Sequence, residues 1–596
     1  MSEKDGATAM KLPVDYRLRH KGLSGATVAL LTTVTMLLLT VIAEPIGWQW
    51  LAWMALGPWV VAAVRAKNGG RSAMISYLGG LIYFFFNLKW LAPVTLAGYI
   101  GLCFYLGWYF VLSGYILRRI YQHREWSFTL VLPVVWVGQE YLRAWLLTGF
   151  PWLFLGHSLH ENIRLMQLCD TFGAYGLTFL VAMVNGLWCD LLLRPLVRSN
   201  NRGRGSRLDA ISSILITACC IAAAVVYGQF RLNQGKSAIS KGRAIAVIQE
   251  AIPQYVKEAG ESDEEIFQKH LTLSEEALAA EVTPELIVWP ETMVPAPLND
   301  EFLNAGADFL TEAGRSLLTK CLSYDNRLRE LSGKGVNVLT GAITLTLPPV
   351  DPSRRYNSAF LYLSDGQRFP KRYDKMHLVP FGEVVPFKES WPWLYGVLNS
   401  LTPYDYEYSL DAGDEPTVFE IKPQEPNSTT LRFGVAICYE DVMPQVPRRL
   451  AAAEKGKKRV DFLLNISNDG WFVTGGQGTP LNPSAELLQH LVICKFRAVE
   501  NRVGIVRAVN TGISAFIRPD GRVQEGYLAG TLPENHAQRQ AVAGFLTDNV
   551  YLDRRISLYS IIGDSFAIAC TVLTGFLFIG GILMQSRWEK KGKSIR

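Results

Sequence analysis

The run Phe433-Gly-Val-Ala-Ile-Cys-Tyr-Glu-Asp441 decides how this chain is read. An apolar, β-branched stretch ends on a thiol, and two acids then open a helical pattern that continues to about residue 454. Acidic side chains suit a helix N-terminus. A strand that turns sharply into a helix lifts its last residue above the sheet, and the helix dipole there favours thiolate. Cys438 is therefore the candidate nucleophile. Two other cysteines, Cys321 and Cys494, share its half of the chain, but both sit within helical patterns and read as core residues. Three is an odd number, so at least one thiol stays unpaired in a compartment that favours disulfides. No CxxC or HxxxH spacing occurs, so neither a metal nor another cofactor is expected.

A thiol nucleophile needs a group to take its proton and a donor for the oxyanion that forms on attack. Two further strand ends offer them. Leu286-Ile-Val-Trp-Pro-Glu291 is an apolar strand stopped by Pro290, which leaves Glu291 at its lip. Tyr373-Asp-Lys375-Met-His-Leu-Val-Pro-Phe-Gly-Glu383 places Lys375 just after a strand near residue 360. Short β-branched runs at 243–249, 285–289, 336–343, 358–363, 432–438, 461–466 and 504–509 surround these ends. They alternate with helical patterns near 262–281, 441–454 and 481–500. This is the pattern of an α/β domain, predicted over 230–556, and more than 300 residues can bury a full core.

The rest of the chain is a different material. The 596 residues are 49% hydrophobic and only 19% charged, against about 25% charge in ordinary soluble domains. That excludes a disordered, collagenous or disulfide-scaffold protein. Charge-poor runs at about 25–43, 48–64, 72–88, 91–117, 127–147, 172–193, 209–229 and 557–584 are each long enough to cross about 30 Å of hydrocarbon as helices. The prediction is a polytopic α-helical membrane portion of eight transmembrane helices, seven in 1–229 and the eighth in 557–596, around one external domain. Residues 230–556 carry a net charge of −6, and the remainder +12. The excess Lys and Arg lie in the N-terminal tail (Lys4, Lys11, Arg17, Arg19, Lys21), around 65–71 and 118–124, in 194–207, and in the C-terminal tail. Opposite loops hold only Lys89 and Arg164. The excess of positive residues on the cytoplasmic side then puts both termini in the cytoplasm and 230–556 outside. Basic residues that follow topology in this way give no nucleic-acid-binding face.

Strand–Pro–Glu, a Lys with a Glu eight residues on, and strand–Cys–Tyr–Glu, in that order, resemble the nitrilase superfamily. Its members use a Glu–Lys–Cys triad on an α-β-β-α sandwich. The sequence is more similar still to the bacterial apolipoprotein N-acyltransferase family. The matching segments are Gln249 with Ile252-Pro-Gln254, Trp289-Pro-Glu291, Thr340-Gly-Ala342, His377 to Glu383, Ala436 to Glu440, Ile466 to Phe472, Arg497 to Glu500 and Leu147-Thr-Gly-Phe-Pro-Trp152. The resemblance implies an enzyme of the bacterial inner membrane with a periplasmic catalytic domain, acting as a monomer. Its donor would be a phosphatidylethanolamine-like phospholipid and its acceptor a diacylated apolipoprotein. The acyl chain would pass through a Cys438 thioester in a ping-pong reaction, with Glu291 as base and Lys375 and the Tyr439 N–H on the oxyanion. The alternative is a membrane-tethered nitrilase or amidase acting on a small periplasmic substrate.

Around the triad, Glu383 is expected to orient Lys375 or carry a proton, and Tyr439 and Glu440 to shape the pocket. Trp289 is expected along the acyl path. Trp391 and Trp393, in an apolar loop, are expected to dip into the outer leaflet. Phe150-Pro-Trp152 reads as an interfacial gate. Glu140 and Arg143, three apart near the outer end of a span, are candidates to grip a lipid headgroup. Two segments depart from the family pattern, the extended stretch 300–335 and the Gly-rich stretch 473–480.

Overall fold

The computed structural model describes residues 22–123, 126–193, 203–258, 263–305, 311–347, 354–400, 408–423, 429–454, 456–476 and 479–593. The basic N-terminal tail, Arg124, Arg194, Arg198 and Arg202, on which the predicted orientation partly rests, lie outside the described residues.

The membrane portion comprises α1 (Gly25–Val41), α2 (Gly57–Arg65), α3 (Gly69–Asn87), α4 (Leu96–His123), α5 (Phe128–Trp145), α6 (Ala174–Leu193) and α7 (Gly203–Ala238). A last helix, Ser565–Lys593, follows the α/β domain and packs against α5. The expectation of eight spans is met in part. Among the described residues four helices are long and apolar enough to cross a membrane, within 96–122, 174–193, 210–238 and 565–583. The run 48–64 breaks into a 3-10 stretch, Gln49–Met54, and the nine-residue α2, about 14 Å long at 1.5 Å per residue. Gly57-Pro58 is the cause, because a proline fits only the first turn of a helix. The chain nevertheless doubles back here: Leu23 donates to the Arg65 carbonyl at 2.9 Å and accepts from Lys67 at 3.1 Å. Helix α5 is buried along much of its length and carries Gln139, Glu140 and Arg143 inside the bundle.

Helix α7 runs 36 residues straight into β1 (Ile239–Gln249), so the boundary predicted at 229 falls inside a helix. The α/β domain that follows is built on two large sheets, with two small two-stranded ones beside them among the described residues. In the first, β1 pairs in parallel with β2 (Leu286–Val288), after which come, in order, β4 (Asn337–Leu345), β5 (Arg355–Tyr362) and β6 (Tyr373–Asp374); β3 (Val294–Pro297) joins β4. In the second, β8 (Leu431–Ile437) lies between β7 (Phe419–Ile421) and β9 (Phe462–Ser467), followed by β10 (Gly504–Val509) and β11 (Ala515–Ile517). The first sheet is completed beyond β1 by β12 (Ala529–Gly530) and β13 (Gly544–Asp553).

Strand alternation sets the layers. Ile245, Val247, Leu286 and Val288 meet Phe433, Val435 and Leu464 between the sheets. Ala246, Ile248 and Ile287 face the other way, under α8 (Asp263–Ala279) and α9 (Glu312–Ser332). Helix α10 (Glu486–Asn501) and the short helix Gln445–Ala451 cover the second sheet. The result is an α-β-β-α sandwich. It is keyed to the membrane helices by buried polar contacts. Asp170 accepts from Arg502 Nε at 2.9 Å and Arg231 Nε at 2.6 Å, Glu500 accepts from the Ala174 N–H at 2.9 Å, and Trp152 donates to Gln489 at 2.6 Å.

Candidate active site

The site lies where three strand ends meet. Strand β8 ends at Ile437, and Cys438 follows with φ +53°, a left-handed conformation uncommon for a residue with a Cβ. The predicted helix does not start there. Residues Cys438–Asp441 form one 3-10 turn, and the helix proper begins only at Gln445. Pro444 is responsible, since the residue before a proline avoids the helical region. The elbow is real, but no long helix dipole points at the sulfur. Burial, with the Glu291 anion adding, instead pushes the thiol well above its ordinary value, against Lys375 and a hydrogen bond with Ser467. The resting nucleophile is a thiol, not a thiolate. Of the three cysteines in the sandwich, Cys321 and Cys494 are buried and Cys438 is partly exposed.

Glu291 leaves β2 through Trp289-Pro290. Its backbone presses against β4, where a side chain at Gly341 would come within 2.8 Å of the Glu291 Cα. Only glycine permits that approach. The Glu291 carboxylate accepts from Lys375 Nζ at 3.2 Å and Asn357 Nδ2 at 2.7 Å on one oxygen, and from the Asn468 N–H at 2.9 Å on the other. Lys375 is wholly buried and also reaches Glu383 at 2.9 Å. Burial alone would lower an ammonium's value, but the anions of Glu291 and Glu383 outweigh it and hold Lys375 well above its ordinary range. Glu383 is fixed by Asn357 Nδ2 at 3.0 Å and by the Val379 N–H at 2.9 Å. The structure thus brings Glu291, Lys375 and Glu383 into direct contact, with Cys438 coupled electrostatically to Glu291 and Lys375.

Glu440 acts as the pin of the elbow. It accepts from Tyr373 Oη at 2.8 Å, from the N–H groups of Met376 at 2.7 Å and His377 at 3.0 Å, and from Ile437 at 2.7 Å. The Cys438 turn and the Lys375 segment are thereby locked together. Tyr439 donates its hydroxyl to the Gly149 carbonyl at 3.1 Å, tying the elbow to the membrane portion.

The outer residues fall less uniformly. Trp289 is not on an acyl path. It is fully buried under α8, donating to Ser274 at 2.8 Å and packed on Phe267 and His270, because strand alternation turns it to the outer face of its sheet. Trp152 is likewise buried, stacked on Phe150 and tilted against Trp90 at the seam with α10, and it lines a cavity rather than the protein surface. Glu140 is closed off by Trp136, the Leu155 N–H and Thr178 at 3.0, 2.8 and 2.7 Å, and cannot grip a headgroup. Arg143 is buried 3.9 Å from it. Trp391 and Trp393 are 53% and 73% exposed, beside and within the short helix Pro392–Asn399, which has no buried residue.

Sequence reasoning missed Asn357, whose amide bridges two carboxylates. The strand that carries it opens Arg355-Tyr-Asn-Ser358, so nothing in the sequence sets this carboxamide apart from its polar neighbours. It also missed a second buried ionic cluster. Asp469, Glu486 and His490 lie close enough to suggest a metal site. However, Arg507 occupies their centre, 2.9 Å from Asp469, 2.9 Å from His490 Nδ1 and 3.0 Å from Asp441. The guanidinium already supplies the counter-charge.

Residues 36–187 match the family described as Apolipoprotein N-acyltransferase N-terminal domain. Residues 244–532 match the one described as Carbon-nitrogen hydrolase. The second match spans the whole second sheet, the first sheet apart from β13 and the start of β1, and all the residues at the three strand ends. An Apolipoprotein N-acyltransferase of Geobacter metallireducens is 31% identical over 540 residues, covering 87% of this chain and 88% of the relative. One of Rhodopseudomonas palustris is 29% identical, covering 79% and 82%. Among solved structures, an amidase from Nesterenkonia sp. aligns with 53% of this chain and 92% of its own, at 16% identity and a TM-score of 0.31. The chain belongs to the apolipoprotein N-acyltransferase family, within the nitrilase superfamily.

Proposed function

We propose that this chain transfers an acyl group from a membrane glycerophospholipid to the N-terminal amine of a diacylglyceryl-cysteine on an apolipoprotein. The observation that carries the reading is Lys375, buried between Glu291 and Glu383 beside the partly exposed Cys438 thiol. In the first half-reaction Glu291 takes the thiol proton and sulfur attacks the ester carbonyl. Lys375 and the Tyr439 N–H hold the oxyanion. Collapse breaks the ester C–O bond, the proton on Glu291 passes to the departing glycerol oxygen, and a lysophospholipid leaves. In the second half the acceptor amine attacks the thioester, Glu291 takes the amine proton, and sulfur leaves and recovers it. One amide forms, one thioester breaks, and the enzyme returns to its starting state.

The thiol's elevated value supports this division of labour, because a protonated nucleophile makes an adjacent base necessary. Exposed Trp391 and Trp393 favour a bilayer-derived substrate over a small soluble amide. Such a pair on an apolar helix suits headgroup depth. The topology that goes with this reading has eight passes, one being the broken segment 49–65, with both termini in the cytoplasm of a bacterial inner membrane. The sandwich then lies on the periplasmic side, and the working unit is the monomer.

The test uses the full chain in detergent with a phospholipid radiolabelled in its acyl chains. Label should accumulate on Cys438 as a hydroxylamine-labile ester, then leave when a diacylglyceryl peptide is added. A Cys438→Ser protein that still acylates the peptide at the native rate would falsify the assignment.

A further inference from the structure

The backbone that carries Glu291 is strained. Thr292, the next residue, has φ +51°, a left-handed conformation that is a genuine outlier for a β-branched side chain. On one side the turn is pressed against β4, where a Cβ on Gly341 would come within 2.5 Å of the Thr292 nitrogen. Backbone of this kind persists only where its surroundings over-determine it. A further restraint comes from the short helix Gln254–Glu258, whose Lys257 Nζ donates to the Thr292 carbonyl at 3.2 Å. The same helix reaches the base by a second route. Gln254 Oε1 accepts from Asn468 Nδ2 at 3.0 Å, and the Asn468 N–H donates to Glu291. Asn510 Nδ2 donates to the other end of the Asn468 amide at 2.9 Å.

The two Glu291 oxygens are not equivalent. One takes both Lys375 and Asn357, whereas the other has a single N–H donor among the described residues. The second therefore keeps more lone-pair capacity for a proton from sulfur. Its aim is set by Asn468 and by the backbone on which Glu291 stands, and both are held from Gln254–Glu258. On the reading of Glu291 as base, on which this rests, we infer that Lys257, with Gln254, is a positioning residue that holds the Glu291–Thr292 turn so that the freer carboxylate oxygen faces the Cys438 thiol.

The clamp also titrates. Burial pushes the Lys257 ammonium down to about 8, and the anions of Glu291 and of Asp263, at the start of α8, oppose that fall. Asp263 is itself paired with Lys320. His270, also on α8, is pushed by burial to about 4 and stays neutral above that. As pH rises through about 8 the clamp loses its charge, so acylation of Cys438 should slow on the alkaline side.

Single-turnover acylation of Cys438 by acyl-labelled phospholipid, on the full chain, tests this. Lys257→Met should slow it about 10- to 100-fold and show no fall near pH 8. Lys257→Arg, charged at every working pH, should restore most of the rate and also remove that fall. Since Lys257→Met could disturb folding, it is compared in a Thr292→Gly background, where glycine adopts the left-handed turn without strain. There the loss on removing Lys257 should shrink at least about threefold. A fall near pH 8 that persists in Lys257→Arg overturns the inference. So does an equal loss in both backgrounds, and so does a Lys257→Met rate matching the parent's. Full activity of Glu291→Gln would instead sink the base reading, so the two failures are distinguishable.

Discussion

Lys375 and Arg507 are both buried cations at the same elbow, yet their surroundings differ in a way that separates chemistry from architecture. Arg507 is ringed by Asp441, Asp469, His490 and Asn465, all within 3.0 Å. Both its Nη groups are spent on fixed partners, while its Nε has none among the described residues. The acids around it do not act alone either. Burial, with Asp469 beside it, raises Glu486 to about 7, and His490 and Arg507 oppose that rise. Lys375 has two carboxylates and a neighbouring thiol. An ammonium is a compact point charge with rotatable donors, so it can follow charge from carboxylate to oxyanion. The Arg507 cluster holds its cation between two fixed aspartates. The Lys375 cluster is open on the sulfur side, and this asymmetry is what a reaction requires.

The largest effect should come from the open cluster. Cys438→Ala should abolish transfer and Glu291→Gln should lower it by about 10²–10⁴-fold, with melting temperatures near that of the parent. Single-turnover assays with labelled phospholipid measure both. If Glu291→Gln retains full rate, the contrast between the clusters collapses. Arg507→Met should show the reverse pattern. Leaving Asp441 and Asp469 buried and unpaired should cost about 3–5 kcal/mol of stability. Activity per folded molecule should be little changed, as read by thermal melting alongside the active fraction.

A pH series sharpens the comparison further. Burial raises Glu500, at the seam, to about 7, with Arg497 and the Ala174 N–H pulling the other way. A carboxyl raised from about 4.5 in the unfolded chain binds its proton more tightly when folded. Its contribution to stability is complete below pH 4.5 and is lost as pH rises through 7. Glu500→Gln should flatten that decline by up to about 3 kcal/mol between pH 5 and 8. Steeper loss on the acidic side would reverse the sign and contradict the assignment. The smallest effect belongs to Trp393→Ser. On so exposed a side chain it should change stability by less than about 0.5 kcal/mol. It should slow transfer from vesicles a few-fold and leave transfer from short-chain soluble donors unaltered.

Much of the site could be read before any coordinates because Glu291 and Cys438 each follow an apolar strand, and that signature is local, whereas Lys375 follows only the two-residue β6. The strands at 504–509 and near 286, 337 and 462 were legible for the same reason. β13 was not foreseen, although it pairs along β1 from Gly544 to Asp553. Its Thr547-Asp-Asn549 segment has poor strand propensity and is held by its neighbour rather than by its own pattern. Helix α9 was noted only as extra length, because polar residues dilute its apolar stripe. Trp289 and Trp152 were misplaced for a different reason. Sequence reveals that a large aromatic sits at a strand or helix end, but the face it takes depends on what packs across from it. Asn357 and the Asn468 N–H, which fix Glu291, are neutral groups whose value lies only in position.

The unbroken passage from α7 into β1 carries a mechanical consequence. Thirty-six helical residues measure about 54 Å, so the sandwich stands on a stiff mast rather than a tether, and its rotational phase is set by residue count. A single residue inserted between 229 and 238 would turn everything above it by about 100°. It would pull Arg502 off Asp170 and swing the thiol away from the side on which its substrates arrive. Deleting seven residues, close to two full turns, would lower the sandwich yet roughly preserve its heading. Height and bearing are thus separately adjustable in this molecule.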